Sequence, residues 1–218
     1  MNNCLLCAQP VKQTASWELS WLFHSPPICC KICLAGFEKL AGSLCTFCGK
    51  ESAEPVCEDC QDRDHFLDSN KSIYRYNDFA KEYMKKFKFQ GDYEIGAIFK
   101  SELKKLLAGK NQKIVPIPVS KTRKLERGFN QTIAILKQSD ILYEEILAKK
   151  HTEKQSKKNK KERLAAEQVF YFSGKAVCEV REVLLFDDIY TTGSTLNLAA
   201  QILKEAGVEK VSALTIFR

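Results

Sequence analysis

From Ile73 onward, the chain alternates between stretches with helical apolar spacing and stretches with the apolar character of strands. SIYRY is expected to be a short strand. In FAKEYMKKFKF, apolar residues at Phe79, Tyr83 and Phe87 recur every four positions among lysines, which predicts an amphipathic helix. GDYEIGAIFKSELKKLL predicts a second helix, with Asp92 as its candidate N-cap.

The second half of the chain continues this alternation. KIVPIPV is a short β-rich run, SKTRKLERGFNQ is a predicted loop, and a helix is expected through Ile133 and Leu136. ILYEEIL fits either a helix or a strand. The remaining segments are predicted in the order strand, strand, helix, strand: VFYF, EVLLF, STLNLAAQILKEAG closed by Gly207, and KVSALTIFR. The alternation predicts an α/β fold built on a parallel sheet.

Ahead of this pattern, four cysteine pairs share a two-residue spacing: Cys4/Cys7, Cys30/Cys33, Cys45/Cys48 and Cys57/Cys60. Two thiolates on one tight turn can reach a single tetrahedral ion, and a closed structural zinc site needs four ligands. Pairing in chain order therefore predicts two Cys4 zinc sites. Cys29 could replace Cys30 in the first site, although Cys30 fits the spacing better. A redox Cys-x-x-Cys site is the alternative, but it needs one pair rather than four.

The metal would hold a segment that is too short for a large core of its own. We therefore predict a small cysteine-rich zinc-binding domain over residues 1–66 and an α/β domain over residues 67–218. Residues 1–66 hold five Lys or Arg against eight Asp or Glu, so the chain's formal net charge of +7 comes from the larger domain. A basic domain favours phosphate-bearing partners such as nucleotides or nucleic acid, although a basic surface also serves solubility.

Composition narrows the protein class further. The chain has 218 residues and is 44% hydrophobic, which is enough for a core and too apolar for general disorder. No apolar run reaches the roughly 18 residues of a membrane span, and the N-terminus lacks the pattern of a signal peptide. We therefore expect a cytoplasmic protein. Residues 149–163 hold eight Lys or Arg and no apolar residue, which indicates a solvated loop or a mobile lid.

The stretch LLFDDIYTTGSTL, residues 184–196, carries the candidate chemistry. Ligands of parallel sheets bind at the carboxyl ends of the strands, and Asp187 and Asp188 follow the apolar run there. The turn Thr191, Thr192, Gly193, Ser194, Thr195 enters a predicted helix, whose first amides and dipole form an anion site. Carboxylates accept hydrogen bonds from sugar hydroxyls. Together these groups predict a ribose 5-phosphate site. An Asp-rich turn with a helix N-cap would explain only part of the nine residues DDIYTTGST.

DDIYTTGST resembles the phosphoribosyl pyrophosphate motif of type I phosphoribosyltransferases. Four cysteine pairs ahead of such a domain narrow the resemblance to the ComF family of competence proteins. KFKFQGD (86–92) and VPIPVSKTRKLERGFNQ (115–131) also look like that family, and the resemblance covers essentially the whole chain.

The resemblance implies a role for each matching residue. Asp187 and Asp188 would hold the ribose hydroxyls, directly or through Mg²⁺, and Thr191 to Thr195 would bind the 5-phosphate. Lys121, Arg127 and Arg163 would face the pyrophosphate, with the basic segment 149–163 as the closing loop. The chain departs from related enzymes at Thr191, where purine-salvage members carry an acid that handles the base. It also lacks the Asn that often follows the residue equivalent to Arg163.

Two functions follow from the resemblance. One is a protein of natural transformation that binds incoming single-stranded DNA and a ComFA-type helicase, recruited to the inner face of the membrane at the DNA-uptake machinery. The other is an active phosphoribosyltransferase on an unidentified acceptor. Aromatics among lysines in MKKFKFQGDY could stack bases, but Phe87 and Phe89 are expected to pack into the core.

Overall fold

The computed structural model describes residues 3–11, 27–149, 170–173 and 181–218. Two subjects of the sequence analysis lie outside these residues: Arg163 and the rest of positions 150–163 in the basic segment. No helix within the described ranges is long and apolar enough to cross a membrane.

Helices and strands alternate along the described chain after a cysteine-rich start. The helices are α1 (Lys31–Ala35), α2 (Glu58–Gln61), α3 (Asp78–Phe89), α4 (Lys100–Leu107), α5 (Lys121–Arg127), α6 (Gln131–Gln138) and α7 (Ser194–Glu205), with a 3₁₀ helix at Tyr93–Phe99. The strands are β1 (Ser69–Tyr74), β2 (Lys113–Pro116), β3 (Leu147–Lys149), β4 (Phe170–Phe172), β5 (Glu182–Ile189) and β6 (Lys210–Phe217).

Four strands form a parallel sheet in the order β1-β6-β5-β2, which confirms the predicted α/β fold. Strands β5 and β6 lie at its centre and are apolar on both faces, as expected where helices cover both sides. Strands β3 and β4 pair antiparallel in a separate two-stranded sheet.

The two faces of the sheet pack into two apolar clusters, and the alternation along β5 separates them. Leu184 and Phe186 pack on one face, in a cluster that includes buried residues of α3, the 3₁₀ helix and α6. Val183 and Leu185 pack on the other face with buried residues of α7 and β6. The carboxyl end of β5 therefore lies between two helical layers.

Several predicted elements differ in detail. β1 starts at Ser69, three residues before the predicted strand, and α3 is capped by the side chain of Asn77. Asp92 makes no side-chain cap bond. It is the central residue of a tight turn in which the Tyr93 amide donates to the Gly91 carbonyl, just ahead of the 3₁₀ helix. The ambiguous segment ILYEEIL is neither helix nor strand until it enters β3 at Leu147.

The predicted loop after β2 contains a helix, α5, whose first amides are capped by the Ser120 side chain. No residue of α5 is buried, so the helix has no apolar stripe that sequence periodicity could reveal.

One of the two phenylalanines expected in the core is exposed. Phe87 is fully buried, but Phe89 is 74% exposed. Residues two positions apart in an α-helix differ by about 200° around the helix axis, so Phe87 and Phe89 cannot face the same core. The prediction was right for Phe87 and wrong for Phe89.

The cysteine-rich segment joins the α/β core through Phe37, which is 5% exposed. The Phe37 ring packs against five aromatic rings of the larger part of the chain, with centroids 5.0 to 6.0 Å apart: Tyr74, Phe79, Tyr83, Phe99 and Phe217. The neighbouring backbone also pairs with the edge strand, since the Leu40 amide donates to the Ile73 carbonyl.

We predict that Phe37→Ala lowers the free energy of unfolding by about 3 to 5 kcal/mol, because it removes a ring from a closely packed aromatic cluster. The matched control is Phe89→Ala, which removes an exposed ring and should change stability by no more than about 0.5 kcal/mol. Urea unfolding followed by circular dichroism measures both. Equal losses in the two variants would contradict the packing described here.

Candidate functional site

The two acids of the motif lie within β5 rather than after it, because β5 continues to Ile189. Asp187 is in register with Thr215 of β6, and the next residue, Asp188, is 9% exposed. Successive residues of a strand point to opposite faces, so the two carboxylates leave the sheet on different sides of its carboxyl edge. The Asp188 amide also donates to Asp187 Oδ1 at 2.8 Å.

Cationic groups from three other elements surround this pair. Lys88 at the end of α3 forms an ion pair with Asp188 at 2.8 Å, with side chains only 17% and 13% exposed. Burial lowers the pKa of Arg127, and the nearby Asp188 carboxylate opposes that shift. Burial also lowers the pKa of Lys149, which Asp187 opposes in the same way. The acid pair is thus set in a basic environment on both of its sides.

The ionised form of Asp187 is electrostatically unfavourable. Burial raises its pKa to about 8, and the neighbouring Asp188 adds to the shift, although the Asp188 amide and the two lysines act against it. A carboxyl group shifted this far is typical of a functional site rather than of a structural ion pair. The cost falls when a cation or a hydroxyl-rich ligand binds the carboxylate.

The segment Tyr190 to Thr195, here called the phosphate loop, connects β5 to α7. Gly193 has φ +78° and lies against Tyr190, whose hydroxyl a Cβ at position 193 would strike. The side chains of Thr191, Thr192, Ser194 and Thr195 are exposed, with 2.9 Å between the Thr192 and Ser194 hydroxyls. The loop therefore offers hydroxyls and the amino end of a 12-residue helix.

Two arginines that sequence reasoning missed bind the carbonyls of this loop. Arg218 donates to the carbonyls of Tyr190 and Thr191 and stacks on the Tyr190 ring. Arg63, from the cysteine-rich segment, donates to the Thr192 carbonyl at 2.9 Å. Neither residue belongs to a sequence motif, so no local signal pointed to them.

Of the three residues predicted to face a pyrophosphate, the structure describes two. Lys121 is exposed at the first position of α5. Arg127 is partly buried at the end of α5, where Nη1 donates to Gln131 Oε1 at 2.8 Å and the guanidinium stacks on the exposed Phe89 ring. Arg127 is also close enough to Asp188 for this carboxylate to affect its pKa. Lys121 lies at the other end of the same helix.

The structure brings the eight paired cysteines into two groups: Cys4, Cys7, Cys30 and Cys33, and Cys45, Cys48, Cys57 and Cys60. We call these the first and second cysteine clusters. Within each, all four Sγ atoms lie within 4.8 Å of one another, as the order-based pairing predicts. Sulfurs about 2.3 Å from a tetrahedral ion are about 3.8 Å apart. The Cys7–Cys30 and Cys48–Cys57 Sγ separations are 3.8 and 3.6 Å, so both clusters fit such an ion.

The two clusters repeat one local design. In each, the first pair lies on a tight turn that ends in a residue with positive φ, Ala8 in the first and Gly49 in the second. In each, the second pair begins a short helix whose N-cap is its first cysteine, Cys30 for α1 and Cys57 for α2. A glycine adopts this conformation readily, as Gly49 does, whereas Ala8 takes it with a Cβ present.

Backbone amides favour the thiolate form of one cysteine in each cluster, Cys4 in the first and Cys45 in the second. Burial alone would raise the pKa of Cys45, but the amides of Cys57, Cys48 and Phe47 lower it to about 6. Cys29 lies outside both groups of mutually close Sγ atoms. The geometry thus favours Cys30 over Cys29 as the fourth member of the first cluster.

We predict that Asp187→Asn stabilises the ligand-free protein at alkaline pH. The folded pKa of Asp187, about 8, lies above the unfolded value of about 3.9, so wild-type stability falls as pH rises between these values. Asn lacks this titration. Urea unfolding should therefore show little difference between variant and wild type near about pH 4 and a growing advantage for the variant up to about pH 8. A stability difference between variant and wild type that does not change with pH would contradict the raised pKa of Asp187.

Comparisons with known proteins agree with the site's position in the chain. The phosphoribosyl transferase domain family matches residues 94–218. Competence protein ComFC of Bacillus subtilis (strain 168) is 39% identical, over 99% of this chain and 94% of its own length. Competence protein ComFC of Streptococcus pneumoniae (strain ATCC BAA-255 / R6) is 33% identical, over 99% and 100%.

A shorter match is Competence protein F of Haemophilus influenzae (strain ATCC 51907 / DSM 11121 / KW20 / Rd), which is 29% identical over 80% of this chain and 84% of its own length. The resemblance predicted from the motifs is confirmed over nearly the full length. The chain belongs to the ComFC family of competence proteins and carries a phosphoribosyl transferase domain.

Proposed function

We propose that this chain acts in natural transformation and binds phosphoribosyl pyrophosphate with Mg²⁺ at the carboxyl end of β5. The observation that carries the ligand proposal is the acid pair at the end of β5, where Asp188 is buried, Asp187 is partly buried, and the pKa of Asp187 is raised to about 8 beside the phosphate loop. Family membership carries the cellular role, because the relatives at 39% and 33% identity are named as competence proteins.

In this proposal, the ribose and its 5-phosphate occupy neighbouring parts of one site. Asp187 and Asp188 accept hydrogen bonds from the ribose hydroxyls, which can reach carboxylates at the strand end. The phosphate binds the amides and exposed hydroxyls of Thr191, Thr192, Gly193, Ser194 and Thr195 at the amino end of α7.

The acid pair also fits a magnesium ion, since Mg²⁺ prefers carboxylate oxygens and keeps several waters and phosphates as further ligands. Bound there, Mg²⁺ would neutralise charge on the pyrophosphate. Arg127, Lys121 and Arg163 supply the remaining positive charge in the proposal, and the basic segment 149–163 closes over the ligand.

An active phosphoribosyltransferase on an unidentified acceptor is the second candidate. The domain match favours it, because the family is named for this transfer. Thr191 argues against an active transferase, since it stands where base-handling members carry an acid. Binding of the ligand as a sensor or scaffold, without turnover, requires no such acid.

We propose that each cysteine cluster holds one structural zinc ion. The donor set of four thiolates and the Sγ separations of 3.6 and 3.8 Å fit tetrahedral Zn²⁺. The first cluster packs into the apolar cluster that contains Phe37, and the second packs against residues of α7. The ions would therefore hold both turns and short helices against the α/β core.

A patch on α3 and α5 supports single-stranded DNA as a ligand. Phe89 is exposed, and the Arg127 guanidinium lies 5.7 Å from its ring centroid. α5 adds Lys121, Arg123 and Lys124, all exposed. Aromatic rings beside cations bind single strands by stacking bases while the cations contact phosphates. A ComFA-type helicase remains the proposed protein partner, at the cytoplasmic face of the membrane.

Calorimetry with phosphoribosyl pyrophosphate and Mg²⁺ tests the ligand site. Wild-type protein should bind, and the double variant Asp187→Asn/Asp188→Asn should bind about a hundredfold more weakly, because it loses two charged hydrogen-bond acceptors. The control is Asp78→Asn, which removes an exposed carboxylate at the start of α3. Absence of binding by the wild-type protein would refute the ligand proposal, and equal affinity of the double variant would refute the role of the acid pair.

Fluorescence titration with single-stranded oligothymidylate tests the aromatic patch. Phe89→Ala should weaken binding by about tenfold with an unchanged salt slope, whereas Lys124→Ala should reduce that slope by about one. The control Leu142→Ala removes a side chain that is 92% exposed and is not aromatic. If Phe89→Ala and Leu142→Ala bind alike, DNA binds elsewhere on the protein or not at all.

A further inference from the structure

The phosphate loop is held by its carbonyls. Arg218 Nη1 donates to the Thr191 carbonyl at 3.0 Å and to the Tyr190 carbonyl at 3.4 Å. Arg63 Nη1 donates to the Thr192 carbonyl at 2.9 Å. Three successive peptide units are therefore bound at their carbonyl oxygens by two cationic side chains.

Binding a carbonyl also orients the amide of the same peptide unit. A trans peptide is planar, and its C=O and N–H point in opposite directions. The units bound by the arginines carry the amides of Thr191, Thr192 and Gly193, so these N–H groups are directed away from Arg218 and Arg63. Within the described chain, none of these three amides has an acceptor. Three free donors in succession are what an anion at the loop requires.

Both arginines are in turn fixed by the second cysteine cluster or the segment that follows it. Arg218 Nη2 donates to Cys48 Sγ at 3.2 Å, and its guanidinium stacks on Tyr190 with 4.6 Å to the ring centroid. Arg63 follows α2 by two residues, and the chain just after it is bound to α7 through Asn197. Asn197 Oδ1 accepts from the amides of Phe66 and Leu67.

We infer that Arg218 and Arg63 are positioning residues of the phosphate loop, and that the second cysteine cluster fixes Arg218 through Cys48. The two arginines touch the loop's carbonyls and not the ligand. They set the direction of the amides and polarise each peptide unit, which strengthens the N–H groups as donors. The effect on ligand affinity rests on the proposed phosphoribosyl site, whereas the effect on the loop itself does not.

The arrangement gives the cysteine-rich segment a function beyond its own stability. A metal ion held by the second cluster would fix Cys48, whose Sγ accepts from Arg218 Nη2 at 3.2 Å. Without the ion, the four side chains would lack a common centre, and Arg218 would lose one of its fixed partners. The inference therefore couples metal content to the order of the phosphate loop.

The test uses the zinc-loaded full chain and the variants Arg218→Met and Arg63→Met, which keep most of the side-chain volume and remove the donors. Metal analysis should return two zinc ions for the wild type and for each variant. In the absence of ligand, the backbone ¹⁵N order parameters of Thr191, Thr192 and Gly193 should be lower in both variants than in the wild type, because the loop loses the side chains that bind its carbonyls. Calorimetry should show phosphoribosyl pyrophosphate binding weakened by about tenfold, as expected on loss of a charge-assisted hydrogen bond.

The control is Lys50→Met, which removes a cation of the same segment that pairs with Asp59 rather than with the loop. Wild-type order parameters at all three residues in both arginine variants overturn the inference. If Arg218→Met loses a zinc ion, the result for Arg63→Met alone decides, because Arg63 donates to the loop and not to a cysteine. If the wild type does not bind phosphoribosyl pyrophosphate, the ligand proposal fails, and the order parameters still decide whether the arginines position the loop.

Discussion

The ion pair between Lys88 and Asp188 is the contact on which the arrangement of the site depends. It joins the end of α3 to the end of β5, with both side chains less than a fifth exposed. Breaking such a buried pair is costly, so α3 and β5 keep a fixed relation. It also satisfies one acid of the pair and leaves Asp187 with a raised pKa. The fold thus accepts one unfavourable carboxyl group where a ligand or cation would relieve it.

The opposite side of the loop shows how a cysteine-rich segment can contact the phosphate loop at its carbonyls, away from the proposed ligand. Phe37 joins the first half of that segment to the sheet through a cluster of aromatic rings. Arg63 and the Cys48–Arg218 contact join the second half to the phosphate loop. Zinc in this protein is therefore proposed to order the site as well as the segment that binds it. The boundary predicted at residues 66 and 67 stays a prediction, and contacts across it are extensive.

The sequence predicts those features that depend on local spacing. The cysteine pairs predict both clusters, and DDIYTTGST places the acids and the phosphate loop on neighbouring parts of one strand–loop–helix unit. Helix α5 was missed because all of its residues are at least partly exposed. Arg218, Lys88 and Arg63 could not be predicted, since each acts on residues far away along the chain. Phe89 was placed in the core by mistake. Its angle around the axis of α3, about 200° from that of Phe87, puts it on the surface.

The central claim is that one ligand spans the acid pair and the phosphate loop. The most direct measurement is a crystal structure of the zinc-loaded protein grown with phosphoribosyl pyrophosphate and Mg²⁺. The account predicts the 5-phosphate on the amides of Thr191 to Thr195 and the ribose hydroxyls within hydrogen-bond distance of Asp187 or Asp188. A ligand bound elsewhere on the protein, with the acid pair and the loop both free of it, would contradict the account.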